Sequence, residues 1–390
     1  MIDFTFQNST KIYFGRTALD NLAGEVRRYG TRVLLVYGGG SIKCIGLYDK
    51  VMDILRGENA QVWEISGVLP NPRLGLVEKG VAICKENDIQ LVLAVGGGSA
   101  IDTAKAIANG ACYDGHPWDL FEGKGSNDRV LPLGTIVTLS AAGSEMSNSS
   151  VITRESDMCK RGRNTPFNLP KFSILNPEYT FTLPPFHTAC GIVDIMAHMM
   201  ERYFAREENV ELTDRMTEAA LVTVINNAPI VMEKPDDYDA RAEIMWAGAL
   251  AHNNLFSTGR TGDWASHKLE HELSALYDIA HGAGLAIIFP AWMKYVLEKN
   301  GEKKLSQFAR RVMQVPENFG DDRATALEGI ARLEKFYRSI GLTTTLHENG
   351  IGESDIPRMA ERAIALGGGS LGFFVKLGVP DAEAIYRLAL

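Results

Sequence analysis

The stretch "IQLVLAVGGGSAIDTAKAIANGA" (89–111) decides the fold of this chain. Its first half is an apolar run that ends in glycines, a pattern typical of a buried strand. Its second half has helical periodicity, and the glycines between the halves favour a tight turn. A strand, a turn and a helix in succession are part of a βαβ unit, so the stretch predicts a parallel sheet.

The same style extends over residues 1–185. "RVLLVYGGGS" (32–41) repeats the strand and the glycine turn, and 60–68 and 130–140 also have strand patterns. Residues 73–88 show the spacing of a helix. Strands that alternate with helices predict an α/β domain whose parallel sheet is covered on both faces.

Long helical patterns replace this alternation after Pro184 and Pro185, which cannot continue a helix from the preceding residues. The first of these patterns spans 193–208 and the second 213–228, and no convincing strand follows. We therefore predict a Rossmann-like α/β domain over 1–185 and an all-α domain over 186–390.

The composition is that of an ordinary globular protein, with 45% hydrophobic and 23% charged residues among 390. The net charge of −8 argues against nucleic acid or an anionic membrane as the main partner. Five scattered cysteines without a CxxC pair fit a reducing compartment. The first residues lack the pattern of a secretory signal, and no apolar run reaches the roughly 18 residues of a membrane helix. These features predict a cytoplasmic protein.

The tetrapeptide Gly-Gly-Gly-Ser occurs three times, at 38–41, 96–99 and 367–370. The first two copies follow a predicted strand, and the second opens a helix with Ser99 and Asp102 near its start. Such a turn presents bare N–H groups that suit a phosphate, although it also serves as a plain strand-to-helix turn. The third copy follows a helix and predicts a C-terminal cap and loop. Two phosphate-ready turns favour a dinucleotide.

The turn at 38–43 carries Ser41 and Lys43 and no carboxylate. A carboxylate at this place in a dinucleotide fold would bind the ribose hydroxyls of NAD. Its absence, together with a hydroxyl and an ammonium group, predicts room for a 2′-phosphate and therefore NADP(H).

Asp194 and His198 stand four residues apart in a largely apolar helical pattern, so they share one helix face. They form either a hydrogen-bonded pair in the core or half of a metal site. His267, His271 and His281 lie within fifteen residues and could complete it. One carboxylate with imidazoles suits Fe²⁺ or Zn²⁺. Ligands from separate elements close a tetrahedron best, which favours His267 and His281 and leaves His271 to move protons.

Together these motifs resemble the iron-containing (group III) alcohol dehydrogenase family, in particular its NADP-preferring butanol dehydrogenase and aldehyde reductase branch. The resemblance runs nearly end to end, through "KIYFG", "YGGGSIK", "GGGSAIDTAK", "TLSAAGSEMS", "GIVDIMAHMMERY" and "WASHKLEHELSALYDIAHGAGLAIIFPAWMKY". It implies a dinucleotide-binding α/β domain, an all-α metal-binding domain with Fe²⁺ or Zn²⁺, and hydride transfer between NADP(H) and a primary alcohol or aldehyde.

The resemblance also implies roles for individual residues. The implied metal ligands are Asp194, His198, His267 and His281, with His271 close to the substrate. The implied nucleotide contacts are Gly38, Gly39, Ser41, Asn71, Gly97, Gly98, Ser99, Asp102, Thr138 and Lys160. Relatives that prefer NAD tend to have an aspartate near position 40, where this chain has Gly40. Family members are often homodimers whose N-terminal strands meet, and 4–14 is a plausible edge strand.

Three rival functions use the same features. A lyase or glycerol dehydrogenase on this plan is one, but the apolar residues near the metal motifs disfavour an anionic, phosphorylated substrate such as that of a dehydroquinate synthase. A metal-dependent hydrolase with a non-catalytic nucleotide site is another, although no HExxH motif occurs. A binding protein that has lost catalysis is the third, and the intact ligand positions argue against it.

Overall fold

The computed structural model describes residues 1–299 and 301–390. It divides into two compact units, each built from separate pieces of the chain. The unit that we call the sheet unit contains Gln7–Leu183 and Pro235–Asn253. The unit that we call the helical unit contains Met1–Phe6, Pro184–Lys234 and Asn254–Leu390. The single domain boundary between residues 185 and 186 stays a prediction. Each compact unit contains segments of the chain from both sides of that position.

Eight strands lie in the sheet unit. They are β1 Lys11–Phe14, β2 Arg32–Tyr37, β3 Gln61–Ile65, β4 Leu91–Gly96, β5 Leu133–Val137, β6 Ser149–Arg154, β7 Cys159–Asn164 and β8 Phe172–Leu175. Six of them form a parallel sheet in the order β1-β8-β5-β4-β2-β3, while β6 and β7 pair as an antiparallel hairpin. The predicted parallel sheet is therefore confirmed, and the hairpin is an element that the sequence patterns did not reveal.

Helices account for most of the remaining chain. In chain order they are α1 Leu22–Tyr29, α2 Ser41–Cys44, α3 Leu47–Gly57, α4 Leu74–Glu86, α5 Gly98–Gly110, α6 Asp119–Glu122, α7 Pro185–Tyr203, α8 Glu211–Glu233, α9 Tyr238–Ala251, α10 Ala265–Tyr277, α11 His281–Leu297, α12 Glu302–Arg311, α13 Asp322–Ser339, α14 Ile356–Leu366 and α15 Val379–Leu388. Helices α1–α6 and α9 belong to the sheet unit and the others to the helical unit. Among the described residues, no helix is long and apolar enough to cross a membrane.

The central strands β2 and β4 are buried on both faces, which explains why they are nearly continuous apolar runs. In β2, Leu34 and Val36 pack with residues of α4 and α5. The alternate residues Val33 and Leu35 pack with residues of α1 and α3 on the other face. Burial of alternate residues on opposite faces fixes the register of each strand.

The two strands that carry the glycine turns are neighbours, with Val33 opposite Leu91 and Tyr37 opposite Val95. From β2 the chain continues to β3 at one side of the sheet, whereas from β4 it continues to β5 on the other side. Ligands of open parallel sheets bind at such a reversal, at the carboxyl ends of the strands. The fold thus places both turns at the edge where a dinucleotide would bind.

The third glycine copy and the N-terminal edge strand were also predicted from the sequence. The third glycine copy does end a helix: Gly367 caps α14, and Gly368 and Gly369 have positive φ angles of 77° and 98°. The edge strand predicted over 4–14 is shorter than expected. Only Lys11–Phe14 pairs, with β8, and residues 4–10 are not in a strand.

Candidate functional site

The turn after β4 is closely packed against the residues after β5. A Cβ atom on Gly97 would lie 3.1 Å from Leu139 Cβ, and one on Gly98 would lie 3.0 Å from Ala142 Cβ. Thr138 donates its backbone N–H to the carbonyl of Gly96 at 3.0 Å. Helix α5 begins at Gly98 without a side-chain cap, so its first N–H groups, including that of Ser99, remain available for a phosphate.

Asp102 lies one turn into α5, and both of its carboxylate oxygens are engaged by the protein. Ser144 Oγ donates to Oδ1 at 2.6 Å and the Val151 N–H donates to Oδ2 at 2.8 Å. Burial raises the pKa of Asp102, and the nearby Lys105 ammonium opposes that rise. In this state Asp102 ties the glycine turn to the hairpin strand β6.

Asn71 and Lys160 are far apart in sequence but adjacent in the structure. Lys160 lies on β7 and its Nζ donates to Asn71 Oδ1 at 3.0 Å, with both side chains buried. Asn71 has a left-handed backbone with φ of 54°, a conformation that asparagine tolerates better than most residues. The hairpin therefore brings together two of the predicted nucleotide contacts.

The turn after β2 is open where the turn after β4 is packed. A Cβ atom on Gly39 or Gly40 would meet nothing within 4 Å, and Gly38 accepts the N–H of Gly67 at 2.8 Å. Ser41 and Lys43 are exposed at the start of α2. A side chain at position 40 would therefore fit without strain.

Helix α7 presents Asp194 and His198 one turn apart, as their spacing predicts. Both are buried, at 5% and 4% exposure, and His198 Nδ1 lies 3.2 Å from Asp194 Oδ1. Their burial follows from the apolar residues of α7, nearly all of which lie in the core. Asp194 and His198 thus lie inside the helical unit, where a charged group needs a partner.

His267 and His281 approach the same carboxylate from two other helices. His267 lies on α10 and His281 is the first residue of α11, and Asp278 with φ of 51° separates the two helices. The Nε2 atoms of His267 and His281 lie 4.0 Å and 3.8 Å from Asp194 Oδ1. Ligand atoms of these three residues all lie within 4.8 Å of one another, which is close enough to hold one metal ion.

The unsatisfied atoms of this cluster fit a cation. Asp194 Oδ1 and His267 Nε2 are buried and have no hydrogen-bond partner. Burial alone would raise the pKa of Asp194, but the imidazoles of His198, His281 and His267 outweigh it and hold that pKa well below its usual range. Asp194 is therefore an anion surrounded by imidazole nitrogens. This donor set suits Fe²⁺ or Zn²⁺ better than Mg²⁺ or Ca²⁺.

Two buried glutamates orient the histidines, and sequence reasoning missed both. Glu201 Oε1 accepts a hydrogen bond from His267 Nδ1 at 2.8 Å, and Glu270 accepts one from His281 Nδ1. Such carboxylates fix the imidazole tautomer so that Nε2 carries the lone pair toward a metal. A signal was present, because Glu201 lies one turn from His198 and Glu270 one turn from His267 in helices already assigned to the site.

Two glycines at the start of α11 allow the helices to approach so closely. A Cβ atom on Gly282 would lie 2.0 Å from the Cys190 carbonyl oxygen on α7. One on Gly284 would lie 2.6 Å from Glu270 Oε1 on α10. Any side chain at these positions would push α11, and with it His281, away from the cluster.

His271 lies beside the cluster rather than within it. Its ring centroid is 5.6 Å from that of His281, and both side chains are partly exposed. His271 also forms a second possible ligand group with Glu270 and His281, whose atoms lie within 4.8 Å of one another. A partly exposed imidazole next to the cluster is suited to exchanging protons with solvent.

Comparisons with known proteins agree with this geometry. The family described as iron-containing alcohol dehydrogenase matches residues 9–177, and the Fe-containing alcohol dehydrogenase family, C-terminal, matches residues 188–390. The chain is 46% identical to the "Probable NADH-dependent butanol dehydrogenase 1" of Bacillus subtilis, over all of both chains. It is 35% identical to the "NADPH-dependent aldehyde reductase YqhD" of Escherichia coli, again over all of both.

The fold is also similar to that of a solved structure. The crystal structure of NADH-dependent butanol dehydrogenase A from Thermotoga maritima superposes with a TM-score of 0.95 at 40% identity, covering 99% of this chain and 98% of that one.

Proposed function

The chain belongs to the iron-containing alcohol dehydrogenase family, and from this premise we propose that it interconverts short- to medium-chain aldehydes and primary alcohols, such as butyraldehyde and butanol, with NADP(H) as the preferred cofactor. The observation that carries the proposal is the convergence of Asp194, His267 and His281, with two buried ligand atoms left unsatisfied. Similar chains named as butanol dehydrogenases and an aldehyde reductase support this substrate class.

The residues of the helical unit divide the chemistry among them. Asp194, His198, His267 and His281 would hold the divalent cation, while Glu201 and Glu270 keep two of the imidazoles in the ligating tautomer. When bound, the cation supplies a Lewis acid for the substrate oxygen and the nicotinamide supplies a hydride.

Proton transfer falls to His271. Reduction of an aldehyde adds one hydride to the carbonyl carbon and one proton to the oxygen, and NADPH becomes NADP⁺. A ring nitrogen of His271 would deliver that proton and recover it from solvent, since the side chain is partly exposed. In alcohol oxidation the same nitrogen would accept the proton.

The sheet unit would bind the dinucleotide at the two glycine turns. The proposed contacts after β2 are Gly38, Gly39, Ser41 and Lys43, and those after β4 are Gly97, Gly98, Ser99 and Asp102. Asn71, Thr138 and Lys160 would line the same edge. Ser41 and Lys43 favour a 2′-phosphate through charge-assisted bonds of roughly 1.5–3 kcal/mol each, which is the reason for proposing NADP(H).

Turnover of butyraldehyde by the metal-reconstituted protein tests the activity. We expect oxidation of NADPH with a kcat/KM at least about tenfold above that for NADH, following from the bond strengths above. Gly40→Asp should erode or reverse this preference with unchanged metal content, because its carboxylate fits the open space and repels a 2′-phosphate. Gly40→Asn is the uncharged control. A wild type that prefers NADH would contradict the cofactor assignment, and absence of turnover with either cofactor would contradict the function.

We further propose that the enzyme is a homodimer joined through β1. This strand is at one edge of the sheet, and Phe14 on it is 41% exposed. Ile12 and Phe14 also line a surface cavity of about 430 Å³ with Trp246. Pairing with a second copy would satisfy the open edge. A sedimentation coefficient of a monomer at micromolar concentration would contradict this assembly.

A further inference from the structure

A carboxylate lies next to the turn after β2, although the turn itself contains none. Glu64 is the penultimate residue of β3 and pairs in register with Leu35 of β2. The hydroxyl of Tyr37 donates to Glu64 Oε2 at 2.6 Å, and that of Tyr48 donates to Oε1 at 2.9 Å. Two phenols therefore hold both oxygens of an otherwise exposed carboxylate in one orientation.

The ammonium group of Lys43 belongs to the same cluster. Its Nζ lies 4.6 Å from the ring centroid of Tyr48 and 5.5 Å from that of Tyr37, and the ring centroids are 5.7 Å apart. Both distances are in the range of cation–π attraction. The rings that bind the ammonium through their faces bind Glu64 through their hydroxyls. The Lys43 ammonium group, which would attract a 2′-phosphate, therefore lies above two tyrosine rings whose hydroxyls are hydrogen-bonded to the Glu64 carboxylate.

We propose that Glu64 is a specificity-determining residue, which limits the preference for a 2′-phosphate that Ser41 and Lys43 give the turn. The inference rests on the proposed function, since it assumes that the turn after β2 binds the adenosine ribose. Glu64 acts through its negative charge, which partly offsets that of Lys43 and weakens the attraction of the phosphate dianion. The tyrosines keep that charge near the turn.

The position of Glu64 in the fold explains why no motif reveals it. In a dinucleotide fold the acidic residue is expected at the end of the strand that reads the ribose. Here β2 ends at Tyr37 and is followed by glycines, and the carboxylate comes from the neighbouring strand β3. The residues after β3 return to the turn, since the Gly67 N–H donates to the Gly38 carbonyl at 2.8 Å.

Binding of two cofactor fragments tests the proposal without catalysis. Adenosine 2′,5′-bisphosphate and 5′-AMP differ only in the 2′-phosphate, and titration calorimetry gives the Kd of each for the wild type, Glu64→Gln and Lys43→Gln. Glu64→Gln keeps the size of the side chain, and both tyrosines retain partners because one hydroxyl can donate to the amide oxygen and the other can accept from the amide NH2. We expect this substitution to lower the Kd of the bisphosphate about fivefold, which is the scale of an exposed charge pair. The Kd of 5′-AMP should stay nearly unchanged. Lys43→Gln should weaken the bisphosphate selectively.

A matched control separates local charge from net charge. Glu86→Gln removes the same charge from an exposed glutamate at the end of α4, just before β4 begins, and should change neither Kd. The kcat/KM ratio of NADPH to NADH should follow the fragments and rise about fivefold in Glu64→Gln.

The contrary results are distinct. If both fragments bind and Glu64→Gln leaves their Kd ratio at the wild-type value, or changes it as Glu86→Gln does, Glu64 does not read the 2′ position. If neither fragment binds any of the proteins, the nucleotide assignment of the turn is wrong and the role of Glu64 is wrong with it.

Discussion

The two units each bury a cluster of charged side chains, and the clusters differ in how their polar atoms are satisfied. In the sheet unit, Lys105 is fully buried and its Nζ donates to Ser144 Oγ at 2.8 Å and to the carbonyls of Ser147 and Ser149 at 2.9 Å and 2.7 Å. Those three acceptors use all the protons of the ammonium group. The ammonium group is therefore fully satisfied by the protein itself.

The cluster around Asp194 in the helical unit is largely buried, but not all of its polar atoms have partners. Asp194 Oδ1 and His267 Nε2 have no hydrogen-bond partner, while the other nitrogen of His267 is bound by Glu201. An unsatisfied buried polar atom costs about 1–3 kcal/mol. Burial of charge alone therefore does not identify a ligand site, whereas converging ligand atoms that lack partners fit one.

The largest expected effect is the loss of metal when one ligand is removed. Asp194→Ala or His267→Ala should weaken metal binding by roughly 100-fold or more, since losing only an outer partner of a ligand costs ~10–100-fold. Elemental analysis after dialysis measures the metal content. Metal should also raise the free energy of unfolding of the wild type, by about 4 kcal/mol at a thousand times Kd, and not that of the variants. Full metal occupancy in either variant would show that the cluster around Asp194 is not the metal site.

Removal of the cation from the satisfied cluster should instead cost stability. Lys105→Met leaves the partly buried Asp102 without its neighbouring positive charge and three acceptors without this donor. We expect the free energy of unfolding to fall by about 3–5 kcal/mol, with metal content unchanged in the folded protein. Lys79→Met, at an exposed lysine of α4, should stay within roughly 0.5 kcal/mol. Urea denaturation measures both, and a similar cost for the two variants would show that the Lys105 contacts add little.

Glu145 gives the sheet-unit cluster a specific pH dependence. Burial raises the pKa of Glu145 to about 7, and the Lys105 ammonium partly opposes that rise. The folded state therefore keeps a proton on Glu145 that the unfolded state releases near pH 4.5, so this group's stabilisation is complete below pH 4.5 and is lost as the pH rises through 7.

The test compares the wild type with Glu145→Gln, which cannot titrate. Between pH 4 and pH 8 the wild type should lose up to about 3 kcal/mol of unfolding free energy relative to the variant, at ~1.4 kcal/mol per pKa unit. Parallel pH profiles of the two proteins would mean that Glu145 keeps an ordinary pKa in the fold.

The smallest expected effect concerns the two glutamates that orient His267 and His281. Glu201→Gln and Glu270→Gln should weaken metal binding ~10–100-fold because the histidines lose their charged partners. Glu272→Gln is the matched control, since this buried glutamate of α10 pairs with Arg362 instead of a histidine. Competition with a chelator gives the affinities. If Glu272→Gln weakens binding as much as Glu270→Gln, the effect is one of general packing.

The sequence predicted the features that depend on local pattern. The strand, turn and helix around Gly97 and the one-turn spacing of Asp194 and His198 are properties of short segments, and the structure contains both. The preference for His267 and His281 over His271 follows from their place on separate helices. Each of these inferences uses a period or a spacing, which a single chain displays directly.

Features that depend on distant segments were not visible. Helix α9 has an ordinary helical pattern, and only its packing with residues after β5 and β8 assigns it to the sheet unit. Glu64 is separated from Lys43 by all of α3 and most of β3, so its position near the turn appears only when the strands are aligned. Glu201 likewise resembles any glutamate of a helix until His267 is placed beside it.

The close approach at Gly282 and Gly284 has a consequence for how this chain tolerates change. Neither residue has a side chain that could bind a metal ion, yet an added methyl group would meet the Cys190 carbonyl or the Glu270 carboxylate. In a complete substitution scan these two positions should be as intolerant as His281 itself, even to alanine. The active centre is therefore larger, as a mutational target, than the set of side chains that compose it.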